Sequence, residues 1–186
     1  MTDPDIFAGA TFIPSPFCDT RPDHVPVSLL VIHNISLPPG EFGTQGIKQL
    51  FTGTLNPDEH PFYAEILHLK VSAHCVIRRN GEVEQYVPFT QRAWHAGVSS
   101  FQGTGKCNDF AIGIEMEGTD DVPYTDEQYA ALAKVAGHLQ QQFPLITQGR
   151  IVGHNDIAPG RKTDPGQAFD WCRFRLSLAN TSQRGA

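Results

Sequence analysis

The sequence has no apolar run long enough to cross a membrane. The longest, Leu29 to Ile32 with Val27 just before it, falls far short of the ~20 residues that a span needs. It has no C-x-x-C pair. Cys18, Cys75, Cys107 and Cys172 are scattered through a chain large enough to do without disulfide staples, and they read as free thiols in a reducing compartment. It has no lysine or arginine block, and the formal charge is -6, which argues against nucleic acid or anionic lipid as the main partner, since both reward clustered cations. An anionic ligand would have to meet a local basic patch that the net charge conceals. The amino terminus, M-T-D-P-D-I-F-A-G-A, carries acidic residues where a secretory signal carries lysine or arginine, so export by that route is not expected.

What is present fits one domain over 1–186: 186 residues with 40% hydrophobic content suffice for a full core. Pro4, Pro14, Pro16, Pro22 and Pro26 predict an irregular arm over 1–26, and 180–186 reads as a flexible tail. Ser28 to His33 is apolar on both faces and predicts a buried central strand ending in His33. Ile47, Leu50 and Phe51 have the spacing of a short helix face. Ala73–Arg79 and Glu82–Val87 flank Asn80-Gly81, which predicts a hairpin with a two-residue turn.

Ala111 to Glu117 alternates Ile112, Ile114 and Met116 with Gly113, Glu115 and Glu117, the pattern of a strand with one apolar face. Thr125 with Gln128 makes a capping box for a helix that Pro144 stops. Ile151 to His154 reads as a brief strand, and Trp171, Phe174 and Leu178 suggest a closing helix capped by Asp170. The expected class is α/β (α+β), a central mixed β-sheet flanked by α-helices.

His33 and His154 each end a short apolar strand before a loop, the position where open α/β sheets tend to bind ligands. In A-P-G-R-K-T-D-P, Lys162 and Asp164 are two apart and would point the same way if extended. Two histidines and an aspartate with one position left for water form a familiar catalytic zinc set. Other readings fit the same residues. A histidine can close a strand without a ligand, and K-T-D-P can be an exposed turn with a weak ion pair. Glu115 shares a face with the small Gly113 and Ala111, which leaves space for a pocket, yet Glu115 and Glu117 can also lie on a wet face. Two carboxylates are costly to bury together, so one is expected to face water.

The segments L-L-V-I-H-N-I-S-L-P-P-G-E-F-G, H-P-F-Y, V-S-A-H-C-V-I-R-R, R-A-W-H-A-G-V-S, C-N-D-F-A-I-G-I-E-M-E-G-T-D and G-H-N-D-I-A-P-G-R-K-T-D-P-G run in order from about Pro14 to Arg175. Together they resemble the cytosolic 1,6-anhydro-N-acetylmuramyl-L-alanine amidases, zinc enzymes of the N-acetylmuramoyl-L-alanine amidase and peptidoglycan-recognition-protein superfamily. The resemblance implies the shared mixed-sheet fold and one zinc ion per chain on His33, His154 and Asp164, with Glu115 and Lys162 as the catalytic pair. It also suggests Trp94 and His95 at a sugar subsite, with Arg161 as a further substrate-binding residue and Asn34 and Lys106 as candidates for the stem peptide; Trp94 can equally be a core residue, and Asn34 and Lys106 ordinary surface or loop residues.

The expected substrate is a soluble anhydro-muropeptide met in the bacterial cytoplasm during cell-wall recycling, and the expected state of the protein is a monomer. In some bacteria, loss of such an amidase induces β-lactamase. Asn155 and Gly160 stand where this family commonly has cysteine and glutamate, and Lys70 and Lys106 where it commonly has arginine. The lysines lose the planar bidentate grip on a carboxylate. Two other functions compete: a peptidoglycan-fragment binding module that does not cut, and a secreted autolysin or endolysin-type amidase acting on intact wall.

Overall fold

A computed structural model describes residues 5–183, and the remaining terminal residues of the expected arm and tail lie outside it. In chain order the strands and helices are β1 (Thr11–Phe12), β2 (Cys18–Thr20), β3 (Leu29–Ile35), α1 (Gly46–Thr52), α2 (Pro61–Ile66), β4 (Cys75–Ile77), β5 (Val83–Gln85) and β6 (Gln91–Ala93). There follow β7 (Ser100–Phe101), β8 (Thr104–Gly105), β9 (Ala111–Glu117), α3 (Asp126–Gln142), β10 (Ile151–Gly153), α4 (His154–Ile157) and α5 (Trp171–Gln183).

Six strands form one mixed sheet in the order β1-β5-β4-β9-β3-β10. Only the β4–β5 pairing is antiparallel; β9 lies parallel to both β3 and β4, and β10 parallel to β3. Leu30 and Ile32 of β3 and Ile112, Ile114 and Met116 of β9 share a core with Leu132, Val135 and Leu139 of α3 and Phe174 and Leu178 of α5. The opposite face carries α1 and α2 through Ile47, Leu50, Phe51 and Tyr63, and a second cluster joins Leu29, Val31 and Ala111 to Ala96, Phe110 and Ile157.

Local signals set the helices. Thr125 Oγ1 accepts from the Gln128 backbone N–H at 3.1 Å, and Gln128 Oε1 accepts from the Thr125 N–H at 3.1 Å, completing the expected capping box. Gln128 Nε2 also donates to the Ile77 and Glu117 carbonyls, which ties the start of α3 to β4 and β9. Asp170 caps α5 by accepting from the Arg173 N–H at 2.9 Å.

Several expectations change. The arm is not wholly irregular: β1 pairs with β5, and β2 pairs with β6. Helix α5 runs through Gln183, so much of the expected tail is helical. The β4–β5 turn is not a two-residue turn. Gly81 N–H donates to Arg78 O and Arg78 N–H to Glu82 O, with Gly81 at φ +83° and Asn80 outside the positive-φ region. That is a three-residue loop with glycine in the left-handed position. Strand β3 continues two residues past His33, because its pairing with β9 holds to Ile35 opposite Glu117.

Strand β9 has no wet face. Every residue of it is buried: β3 and β4 flank it, and the His95 ring lies over Gly113. Both carboxylates are therefore inside. Glu117 is compensated: it pairs with Arg78 at 3.1 Å and accepts from the backbone N–H groups of Gly43 and Arg79. Removing Glu117 takes away one of the two carboxylates on Arg78, which keeps Glu84 at 2.9 Å, and leaves the Gly43 and Arg79 N–H groups without their acceptor. Glu117→Ala is expected to lose about 3 kcal/mol, roughly 6–12 °C in Tm for a domain of this size. Chemical denaturation would check this, and a loss below about 1 kcal/mol, the range of an exposed ion pair, would contradict it.

Candidate active site

The site forms where β3 and β10 run side by side. Their register pairs Ile32 with Gly153, so the next residue on each chain segment, His33 and His154, is a neighbour of the other. His154 is not a strand end as expected; it opens α4, directly after β10. The loop after α4 folds back because Arg161 and Lys162 N–H donate to Ala158 O and Asn155 N–H donates to Asp164 O. That return places Asp164 beside both histidines.

Three atoms meet. His33 Nδ1 and His154 Nδ1 lie 2.9 Å apart, and Asp164 Oδ2 lies 3.1 Å from the first and 3.0 Å from the second. His154 Nε2–H donates to the Ala96 carbonyl at 3.1 Å, which leaves the Nδ1 lone pair of the neutral ring facing the cluster. Lone pairs and a carboxylate this close repel unless a cation or proton lies between them. The spacings are close to the roughly 3.3 Å between donors on a tetrahedral ion with bonds of ~2.0–2.1 Å. The residues fit a divalent metal, and they are the one set of three such groups that does so among the described residues.

The ionisation states agree with that role. Burial pushes the His33 imidazole down to about 4, against the upward pull of its Asp164 hydrogen bond, so the ring is neutral at pH 7 as a ligand must be. Burial pushes the Asp164 carboxyl up, but hydrogen bonds with His154 and His33 outweigh it and hold the carboxyl below its ordinary value.

Glu115 lies opposite His33 in the β3–β9 register and lines the same cleft. It is only 9% exposed, and Oε2 has no hydrogen-bond partner among the described residues. Burial holds its carboxyl well above the usual carboxylate range; the Asp164 charge adds to this and Lys162 opposes it. With a folded pKa above the unfolded one, the favourable contribution is present below about 4.5 and is lost as pH rises through the folded value. Glu115→Gln removes this titration. The melting advantage of metal-free Glu115→Gln over metal-free wild type should therefore be larger at pH 8 than at pH 5. A difference that does not change with pH would contradict the buried-carboxyl reading.

The cleft has a volume of about 690 Å³. Asn34, Trp94, His95, Arg161 and Lys162 line it with the metal cluster and Glu115, whereas Lys106 is exposed and is not among its lining residues. Trp94 stacks on Phe17 with ring centroids 6.3 Å apart. Arg161 donates to the Ala96 and Val98 carbonyls at 2.7 Å each, and with Lys162 it gives an acidic protein a basic cleft rim. Sequence reasoning missed Gly118, Thr119 and Asp120, which also line the cleft; Asp120 accepts from Asn34 Nδ2 at 2.8 Å. Their place directly after the carboxyl end of β9 was the available signal.

A cleft at strand ends, with a convergent His-His-Asp set and a buried acid beside it, has the donor pattern of a metallohydrolase site on a mixed sheet. The chain belongs to the N-acetylmuramoyl-L-alanine amidase family, whose model matches residues 23–167. It is 62% identical to the 1,6-anhydro-N-acetylmuramyl-L-alanine amidase AmpD of Escherichia coli K12, over 92% of this chain and 93% of that protein. A crystal structure of a selenomethionine derivative of AmpD superposes with TM-score 0.92 at 58% identity, covering 96% of this chain and 99% of that one. The Escherichia coli amidase AmiD, solved with anhydro-N-acetylmuramic acid-L-Ala-D-γ-Glu-L-Lys, superposes at TM-score 0.59 and 27% identity, covering 84% of this chain and 60% of that one.

Proposed function

We propose that the chain is a zinc-dependent amidase that cleaves the bond between the lactyl group of 1,6-anhydro-N-acetylmuramic acid and L-alanine in soluble muropeptides, as a monomer in the bacterial cytoplasm. The carrying observation is the meeting of His33 Nδ1, His154 Nδ1 and Asp164 Oδ2 within 3.1 Å of one another in a cleft that also holds Glu115 Oε2, unpartnered among the described residues. Two nitrogens and one oxygen leave a fourth position open, the donor pattern of catalytic rather than structural zinc. Zinc held there supplies Lewis-acid polarisation of a carbonyl and a water with pKa lowered to about 7.

The chain's own groups do the rest. Glu115 accepts the proton of the attacking water and returns it to the L-alanine nitrogen as the C–N bond breaks; burial keeps its proton affinity high enough for both roles. Lys162 offers an N–H to the oxygen on which negative charge develops. Trp94, braced by Phe17, supplies an apolar wall for the sugar, and Asn34, braced by Asp120, a polar contact for the stem peptide. Arg161 and Lys162 favour an anionic substrate. The anhydromuramyl tripeptide bound by the AmiD relative supports this substrate class.

Mass spectrometry of products formed from 1,6-anhydro-N-acetylmuramyl-L-alanyl peptides tests the reading. The expected products are the free anhydro sugar acid and a peptide beginning with L-alanine. Binding without cleavage would make the protein a recognition module, and preferred cleavage of polymeric wall would make it a wall-degrading amidase. Either result overturns the proposal.

A further inference from the structure

An imidazole that presents Nδ1 to a metal must carry its proton on Nε2, and a partner on Nε2 fixes both the tautomer and the ring. In this chain the Nε2 atoms of both histidines meet the same two-residue stretch. His154 Nε2 lies 3.1 Å from the Ala96 carbonyl, which can only accept. His33 Nε2 lies 2.9 Å from His95 Nδ1. For His33 to donate there, His95 must carry its own proton on Nε2, an atom that is buried and has no competing partner among the described residues.

The stretch is itself held from three sides. Asn108 Oδ1 accepts from the backbone N–H of His95 at 3.2 Å and of Ala96 at 2.8 Å. Arg161 donates to the Ala96 oxygen at 2.7 Å. Gly113 of β9 gives the His95 ring its seat, since a Cβ there would lie 2.5 Å from His95 Cγ and Nδ1. A glycine in the middle of a buried strand, otherwise a weakness, is explained by this close approach.

We infer that the His95–Ala96 stretch is the orienting frame of the metal site: His95 is a positioning residue that fixes the tautomer and ring of His33, the Ala96 carbonyl does the same for His154, and Asn108 locks both in place. This assigns His95 a role behind the metal ligands in place of the sugar contact implied by family resemblance. Asn108 gains a role at the site without touching any reacting atom. The inference rests on the metal-site reading above.

The test is the zinc affinity of the metal-free full-length chain, read by competition with a chromogenic chelator. His95→Leu keeps apolar bulk but removes the acceptor, whereas His95→Asn can set Oδ1 near the place of Nδ1. The expected result is a loss of about 10- to 100-fold in His95→Leu and in Asn108→Ala, the size typical of outer-shell partners. His95→Asn should stay near wild type, and melting of each metal-free variant reports folding.

Wild-type affinity in His95→Leu overturns the inference, and so does an equal loss in His95→Leu and His95→Asn, because that would mark a packing effect. Should His95→Leu not fold, unchanged affinity in Asn108→Ala overturns it instead. His33→Ala runs alongside. Wild-type affinity there would overturn the metal site itself, whereas loss there with His95→Leu unchanged would overturn only the orienting role.

Discussion

His154→Ala is expected to leave a protein that neither retains zinc nor hydrolyses the lactyl–alanine bond. The side chain is 3% exposed, and its Nδ1 is one of three donors that meet at about 3 Å. Two remaining donors do not make a catalytic zinc site. Outer-shell changes typically weaken metal binding by 10- to 100-fold, so loss of a ligand itself should exceed about 100-fold. His33→Ala should behave alike, since its Nδ1 closes the same triangle. Metal content after dialysis against chelator, with the hydrolysis rate of the same sample, checks both. A variant that stayed loaded and active would remove His154 or His33 from the site.

Glu115→Ala is expected to separate chemistry from metal binding. The three donors stay in place, while the group that carries the proton from water to the leaving nitrogen is gone. General acid–base groups typically contribute ~10²- to 10⁴-fold, and the rate should fall by that order at unchanged zinc content. Glu117 cannot serve as the control, although it lies two residues along on the same strand, because it is buried and paired with Arg78. Glu65 on α2 is exposed, and Glu65→Ala should change stability by no more than about 0.5 kcal/mol and leave the rate alone. Loss of zinc in Glu115→Ala, or a near-normal rate, would take the proton shuttle away from Glu115.

The contrast between Glu115 and Glu117 shows where the sequence was legible. Signals confined to a few neighbouring residues were: the Thr125/Gln128 box, the apolar spacing of α3 and the alternation of Ile112, Ile114 and Met116 all describe local structure. The burial of the other β9 face was not. It depends on β9 lying between β3 and β4 and on Arg78, 39 residues away, reaching Glu117. The two-residue β1 strand was hidden for a related reason, since its backbone is held by the edge of β5 rather than by its own propensity.

At the site, residue types pointed to His33, His154 and Asp164, yet the residues alone favoured an ordinary strand end and an exposed turn. Their meeting follows from the parallel register of β3 and β10 and from the folded-back loop after α4, and neither has a local signature. The acceptor that orients His154 was beyond sequence reading altogether, because it is a main-chain carbonyl that any residue at position 96 would supply.

The most direct test of a single catalytic zinc on these residues is a titration of the metal-free protein with zinc while hydrolysis of an anhydro-muropeptide is followed. Activity should be absent at the start, rise in proportion to added zinc and level off at one ion per chain. Full activity without metal, or a plateau at some other stoichiometry, would contradict the account.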